Sequence, residues 1–166
     1  MEWLVSLFVL FILLVSLLAG LKEGAVRHFF NLVAVLVAIF IAGLAYYLIS
    51  GLISFLPGEN WEGFFGFCIT FGIVTALMHL AFLLPRGIIQ KIWKRGLIYR
   101  LLGGALNAVN ASIGLTVLAL VLNAFPIFDW LARWVAGSSV MASLVNIFGF
   151  IQVLLPEIFR AAATVV

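Results

Sequence analysis

Charged residues are scarce in this sequence. They make up 9% of the 166 residues, whereas hydrophobic residues make up 66%, and the mean hydropathy is +1.33. Five long stretches contain no Asp, Glu, Lys or Arg: residues 3–21, 28–58, 63–85, 101–128 and 134–156. A soluble domain carries about a quarter charged residues and cannot bury so much apolar surface at this size. The chain is therefore predicted to be an all-α integral membrane protein, with the lipid bilayer as its solvent.

Cysteine and acidic residues are also few. Cys68 is the single cysteine, which excludes an internal disulfide and a cysteine-based metal site. No carboxylate lies in the charge-free stretches, so none is available there to orient a histidine or to act as a general base. We therefore predict no enzymatic activity, no cofactor, no metal site and no nucleic-acid partner. A carrier coupled to protons or sodium is disfavoured for the same reason.

The charge-free stretches predict a bundle of four transmembrane helices. A helix needs about 20 apolar residues to cross the hydrocarbon core. The predicted spans are residues 3–20, 29–56, 64–84 and 101–125. Pro85 and Pro126 are expected to end the third and fourth spans. No polar stretch is long enough to be a linker, so residues 1–166 are predicted to form a single membrane domain.

The C-terminal stretch, residues 135–156, is more polar than the four spans. On a helix, Ser139, Ser143 and Asn146 would share one stripe. This pattern predicts an amphipathic helix that is interfacial or re-entrant. A fifth crossing is the alternative.

The distribution of basic residues predicts the topology. Lys22 and Arg27 follow the first span, and the loop after the third span carries Arg86, Lys91, Lys94, Arg95 and Arg100. The loop between the second and third spans has only acidic charges. By the positive-inside rule the basic loops are cytoplasmic and the N-terminus is outside. Aromatic belts are expected at both interfaces, with Trp3, Trp61, Trp130 and Trp134 outside and Trp93 and Tyr99 inside.

The segment 86–100 has helical periodicity, with isoleucines and Trp93 on one side and polar residues on the other. One interpretation is a basic helix on the inner leaflet whose face contacts anionic lipid headgroups. That face is formed by Arg86, Lys91, Lys94 and Arg95. The alternative is a loop that merely obeys the positive-inside rule.

Polar side chains inside the spans form a candidate intramembrane cluster of Thr75, His79, Asn107 and Asn110. His79 and Asn107 are each about six residues from the inner end of their span, so they lie at similar depth and can form a hydrogen bond. Such residues either join helices by hydrogen bonds or line a solute or ion path in an oligomeric channel. A row of small residues that starts at Gly103 suits close packing against an internal helix or a second copy of the chain.

Two short motifs resemble the CvpA family, the colicin V production proteins of bacterial inner membranes. The segment GLKEGAVRH supplies the Gly24 and Arg27 of a G-x-x-R pair after the first span. The segment YRLLGGALN supplies Arg100 and Gly103 of a D-R-x-x-G-x-x-x-G motif that opens the fourth span. Tyr99 replaces the family's Asp, and Asn107 replaces its second Gly.

The resemblance implies an inner-membrane accessory protein, not an enzyme, that supports toxin production or export, or envelope homeostasis. A homo-oligomer or a membrane or secretion partner protein is expected with it. Arg27 and Arg100 are expected to reach phosphates or to bind loop carbonyls. Gly24 and Gly103 are expected to allow close backbone approach beside them.

Overall fold

The computed structural model describes residues 2–56, 58–92 and 96–155, and all regular secondary structure in these ranges is helical. Eight helices follow one another along the described chain. They are α1 (Glu2–Glu23), α2 (Ala25–Leu52), α3 (Glu59–Ala81), α4 (Leu83–Ile92), α5 (Leu97–Ala124), α6 (Asp129–Ala136), α7 (Ser139–Ile147) and α8 (Phe150–Leu154). Four of them, α1, α2, α3 and α5, are long and apolar enough to cross a membrane. The predicted four-span architecture is confirmed.

Helix α5 lies at the centre of the bundle, between α1 and α2, while α3 packs mainly on α2. Its side chains Ile113, Thr116 and Leu120 are almost completely buried. By contrast, α1 exposes large apolar side chains such as Phe11 and Leu14 along its length. An exposed apolar surface of this extent suits contact with lipid chains.

The two ends of the bundle differ in composition. At one end α1 stops and α2 and α5 start, and α4 lies beside them. We call this the basic end, because it carries Lys22, Arg27, Arg86, Lys91 and Arg100. We call the opposite end the tryptophan end, with Trp3, Trp61, Trp130 and Trp134. There Trp61 packs edge-on against Phe128, with ring centroids 5.6 Å apart. These are the four tryptophans that were predicted for the outer interface, and the helices that carry them place them at the same end of the bundle.

The second span begins earlier than predicted. Helix α2 starts at Ala25, not at residue 29, and only Gly24 separates it from α1. The prediction used the last charged residue as the boundary, but charged side chains are tolerated in a helix that extends beyond the hydrocarbon core. The predicted loop after the first span is therefore an elbow of one residue.

The third span is also shifted. Helix α3 begins at Glu59, where Glu59 and Glu62 occupy its first turn and are stabilised by the positive end of the helix dipole. It ends at Ala81, so the prediction that Pro85 ends this helix was wrong. Pro85 lies in the first turn of α4, a position at which the missing N–H is not needed.

The segment 86–100 does not form one helix. Helix α4 covers its first part, while residues 97–100 are the first turn of α5. Trp93, Lys94 and Arg95 lie outside the described residues. Tyr99 is buried and is not part of an interfacial belt, contrary to the prediction.

A single helix was predicted over residues 135–156. The described part of that segment instead contains the end of α6 followed by two further short helices, α7 and α8. Ser138 interrupts it: its hydroxyl accepts from the backbone N–H of Met141 at the start of α7 and is 2.9 Å from the hydroxyl of Ser6 on α1. None of the three helices reaches the length needed to span a bilayer. The predicted polar stripe is confirmed, since Ser139, Ser143 and Asn146 are all exposed.

Candidate functional site

His79 makes two hydrogen bonds at the interface between α2 and α3. Its Nε2 lies 3.0 Å from Oδ1 of Asn31, and its Nδ1 lies 2.8 Å from the carbonyl oxygen of Thr75. Both ring nitrogens are thus occupied, so the predicted bond to Asn107 is wrong. Equal depth did not bring the two side chains together, because α3 packs mainly on α2.

The two asparagines of α5 bond to other helices. Asn107 Nδ2 donates to the carbonyl oxygen of Ser16 on α1 at 2.6 Å. Asn110 Nδ2 donates to the carbonyl oxygen of His28 on α2 at 3.0 Å. The predicted cluster is therefore divided among three helix interfaces. The bonds of His79 to Asn31, of Asn107 to Ser16 and of Asn110 to His28 each join two helices, whereas the bond of His79 to the Thr75 carbonyl lies within α3.

Glycines allow α1 and α5 to meet at the basic end. A Cβ atom on Gly103 would overlap the backbone of Gly20 and Gly24, and a Cβ on Gly20 would overlap Gly103 and Gly104. The close approach predicted at Gly24 and Gly103 is therefore present. It also shows that the small-residue face of α5 has an internal partner, α1.

Gly24 has a second structural requirement. Its φ of 87° and ψ of 167° lie in a region that is almost exclusive to glycine. The Tyr99 ring fills the space beside it, so that any side chain at Gly24 would overlap the ring. The backbone conformation of Gly24 therefore sets the direction in which α2 leaves α1, and its missing side chain leaves the space that the Tyr99 ring occupies.

The two motif arginines hold this elbow by different contacts. Arg100 Nε donates to the carbonyl oxygen of Leu21 at 3.2 Å, close to the C-terminus of α1. Arg27 pairs across Gly24 with Glu23, with 3.0 Å between Nη1 and Oε1. The other Glu23 oxygen is 3.3 Å from Nε2 of the buried His28, although the geometry there does not make a hydrogen bond.

A cavity of about 560 Å³ opens beside the elbow, and we call it the basic cavity. Four cationic side chains and one carboxylate line it, together with two polar residues. The lining consists of Lys22, Glu23, Arg27, Arg86, Gln90, Tyr99 and Arg100. Of the four residues predicted to form a basic inner-leaflet face, Arg86 lines this cavity, Lys91 is exposed and does not line it, and the remaining two are not described.

Sequence reasoning missed several residues of this site. Gly20 was missed, although it forms a G-x-x-x-G pattern with Gly24 at the end of α1 that could have revealed its part in the helix contact. Lys22 and Gln90 had no recognisable pattern, because their place in the cavity depends on how α4 folds over the elbow. Within the described ranges, no three His, Cys, Asp or Glu side chains lie close enough to hold a metal ion.

The motif residues that surround the elbow belong to a longer match. The family model for the colicin V production protein matches residues 5–154. The chain belongs to this family. No match was found among curated proteins or among solved structures.

Membership of the colicin V production protein family and the four spanning helices make the chain a multi-pass protein of the inner membrane. In this family member, Arg27 and Arg100 come from segments 73 positions apart and meet at one cavity. Gly24 and Gly103 bring their helices together. The four motif positions thus form a single structural unit.

Proposed function

We propose that this member of the colicin V production protein family is a non-enzymatic accessory protein that supports toxin production or export, or envelope homeostasis. It acts as a fixed helical bundle that presents its basic end to a lipid headgroup or a membrane partner protein. The family match supports the process. The arrangement of polar and charged side chains supports the mode of action.

One observation carries this proposal: three of the four candidate polar side chains within the spans bond to another helix, whereas the Thr75 hydroxyl is buried without a hydrogen-bond partner. Asn107, Asn110 and His79 each bond to a neighbouring helix, as expected of side chains that hold a bundle together. Four cationic side chains lie outside this interior, at the basic cavity. The bundle interior therefore serves packing, and recognition is assigned to its basic end.

The proposal is tested by complementation in a bacterial strain whose own family member is deleted. Toxin release and resistance of the envelope to detergent are measured with the wild-type chain and with Arg86→Gln. We expect the variant to lose most of the restored function, because it removes a cation from the basic cavity while leaving the α1–α5 contact intact. Lys91→Gln on the same helix is the control and should behave as wild type.

Measurements on the purified protein distinguish the accessory role from an oligomeric channel. Asn107→Leu should lower stability by about 0.6 kcal/mol, the average for such interhelical bonds, and purified wild-type protein in liposomes should show no ion or solute flux. A specific flux that Asn107→Leu abolishes without loss of assembly would establish the channel instead. If the wild-type chain restores neither toxin release nor envelope resistance, the accessory role is wrong.

We further propose that the basic end faces the cytoplasm and that the N-terminus is outside, since the charges favour this orientation. The test uses a Cys68→Ala background with a new cysteine at Lys91 or at Glu59, both of which are exposed. An impermeant maleimide added to intact cells should label Glu59→Cys and leave Lys91→Cys unlabelled. The reverse pattern would invert the topology.

A further inference from the structure

A second cavity lies beside the basic cavity at the same end of the bundle. It measures about 280 Å³, and its lining is entirely apolar. Its walls include Val26, Phe29, Phe30, Ile89, Leu102 and Leu106. Tyr99 lines the basic cavity and packs against Ala25 and Val26 of this apolar cavity. The two cavities are therefore neighbours that share a wall.

The basic cavity has spare hydrogen-bond donors. Arg27 uses Nη1 for Glu23 and Arg100 uses Nε for Leu21, whereas each guanidinium carries five N–H donors. The N–H groups that these two contacts leave unused can donate to a bound anion, and guanidinium donors match a phosphate well. Four cations against one carboxylate favour the same ligand.

Helix α4 lines both cavities, with a polar face toward the basic cavity and an apolar face toward the second cavity. Arg86 and Gln90 line the basic cavity, while Ile89 lines the apolar one. Ile88, which lines neither, is 61% exposed on the outside of α4. Phe29 is 53% exposed at the rim of the apolar cavity, so this cavity opens on the apolar outer surface of the bundle. A hydrocarbon chain can therefore enter it from the bilayer.

We propose that the two cavities form one binding site for a membrane lipid with a phosphate headgroup. The phosphate lies in the basic cavity, where guanidinium groups match its geometry and charge. The first part of the hydrocarbon chain lies in the apolar cavity. The site rests on the proposed role of the basic end and deepens it, because it names the ligand class and adds the apolar cavity that takes the hydrocarbon chain.

Binding is measured by native mass spectrometry of the full-length protein in detergent with three probes. Dioleoyl phosphatidic acid has both headgroup and chains, diolein has the chains without phosphate, and glycerol 3-phosphate has the headgroup without chains. We expect the phosphatidic acid to bind at least tenfold more tightly than either of the other two. Arg86→Gln should weaken its binding by about tenfold, the effect of one charge-assisted contact.

Two matched variants make the result specific. Lys91→Gln removes a cation from the same helix outside the cavities and should change the Kd less than twofold. Leu106→Phe narrows the apolar cavity and should weaken phosphatidic acid without affecting glycerol 3-phosphate. Equal weakening by Arg86→Gln and Lys91→Gln would reduce the site to general surface attraction, which overturns the proposal. Glycerol 3-phosphate binding as tightly as the lipid would overturn it in favour of a soluble phosphate ligand.

Because this assay measures only lipid binding, its result can contradict the lipid site without contradicting the accessory role, which the complementation experiment tests. Lipid binding without restored toxin release or envelope resistance would refute the accessory role and support the site. Restored toxin release or envelope resistance without specific lipid binding would support the accessory role and refute the lipid site.

Discussion

Replacing Gly103 with leucine should separate α1 from α5 and destabilise the protein by about 3 kcal/mol or more, the upper end of the usual cost of overpacking. The cost is high because the atoms that the new side chain meets are backbone atoms of Gly20 and Gly24. Backbone cannot move aside as a flexible side chain can. The loss is measured as the free energy of unfolding in detergent, together with the amount of monodisperse protein recovered by size-exclusion chromatography.

Gly114 provides the matched control for this substitution. It lies on the same helix, and a Cβ atom there would meet nothing within 4 Å. Gly114→Leu should therefore leave stability within about 0.5 kcal/mol of wild type, as is usual for substitutions at open sites. Similar losses in both variants would show that leucine at any glycine of α5 is harmful and that the α1–α5 contact is not responsible.

Gly24→Ala should be the second most damaging substitution. Two costs add: backbone strain at a φ of 87°, about 1–3 kcal/mol, and overlap of the new methyl group with the Tyr99 ring. The overlap is relieved only if the Tyr99 ring or the elbow shifts, whereas the strain belongs to the backbone conformation itself. Chemical unfolding of the purified protein measures the total.

A second glycine separates the two costs. Gly58 has a similar backbone conformation, with φ 101° and ψ 153°, but a Cβ there would meet nothing within 4 Å. Gly58→Ala therefore reports strain alone, and the excess loss in Gly24→Ala reports the overlap with Tyr99. If the two variants lose equal stability, the Tyr99 ring moves freely and does not fix the elbow.

The number of spans, the apolar character of their faces and the polar stripe of α7 were predictable from the sequence. Each depends on hydrophobicity and periodicity, which are local properties of the chain. The close contact at Gly24 and Gly103 was also predictable, because the family motifs mark both glycines and a residue without a Cβ atom allows two backbones to approach closely. Local patterns therefore reveal which elements form and which of their faces pack.

The partners of the polar side chains were not predictable in the same way. A rise of 1.5 Å per residue gives the depth of His79 and Asn107, but depth does not give the order in which helices stand beside one another. The order α1, α5, α2, α3 places α2 next to His79, so that Asn31 becomes its partner. The burial of Tyr99 could not be predicted either, because its ring occupies a space that exists only once Gly24 has brought α1 and α2 to their observed positions.

The central position of α5 also has a consequence for biosynthesis. Helices α2 and α3 pack on each other and can associate as soon as both have entered the membrane, whereas α1 makes few contacts with α2 and packs mainly on α5. Helix α1 is made before α5 and remains without its main partner until the ribosome has completed residue 124, the end of α5. During that interval its glycine face lacks the neighbour it has in the finished bundle, so the α1–α5 contact forms only after α2 and α3 have been made.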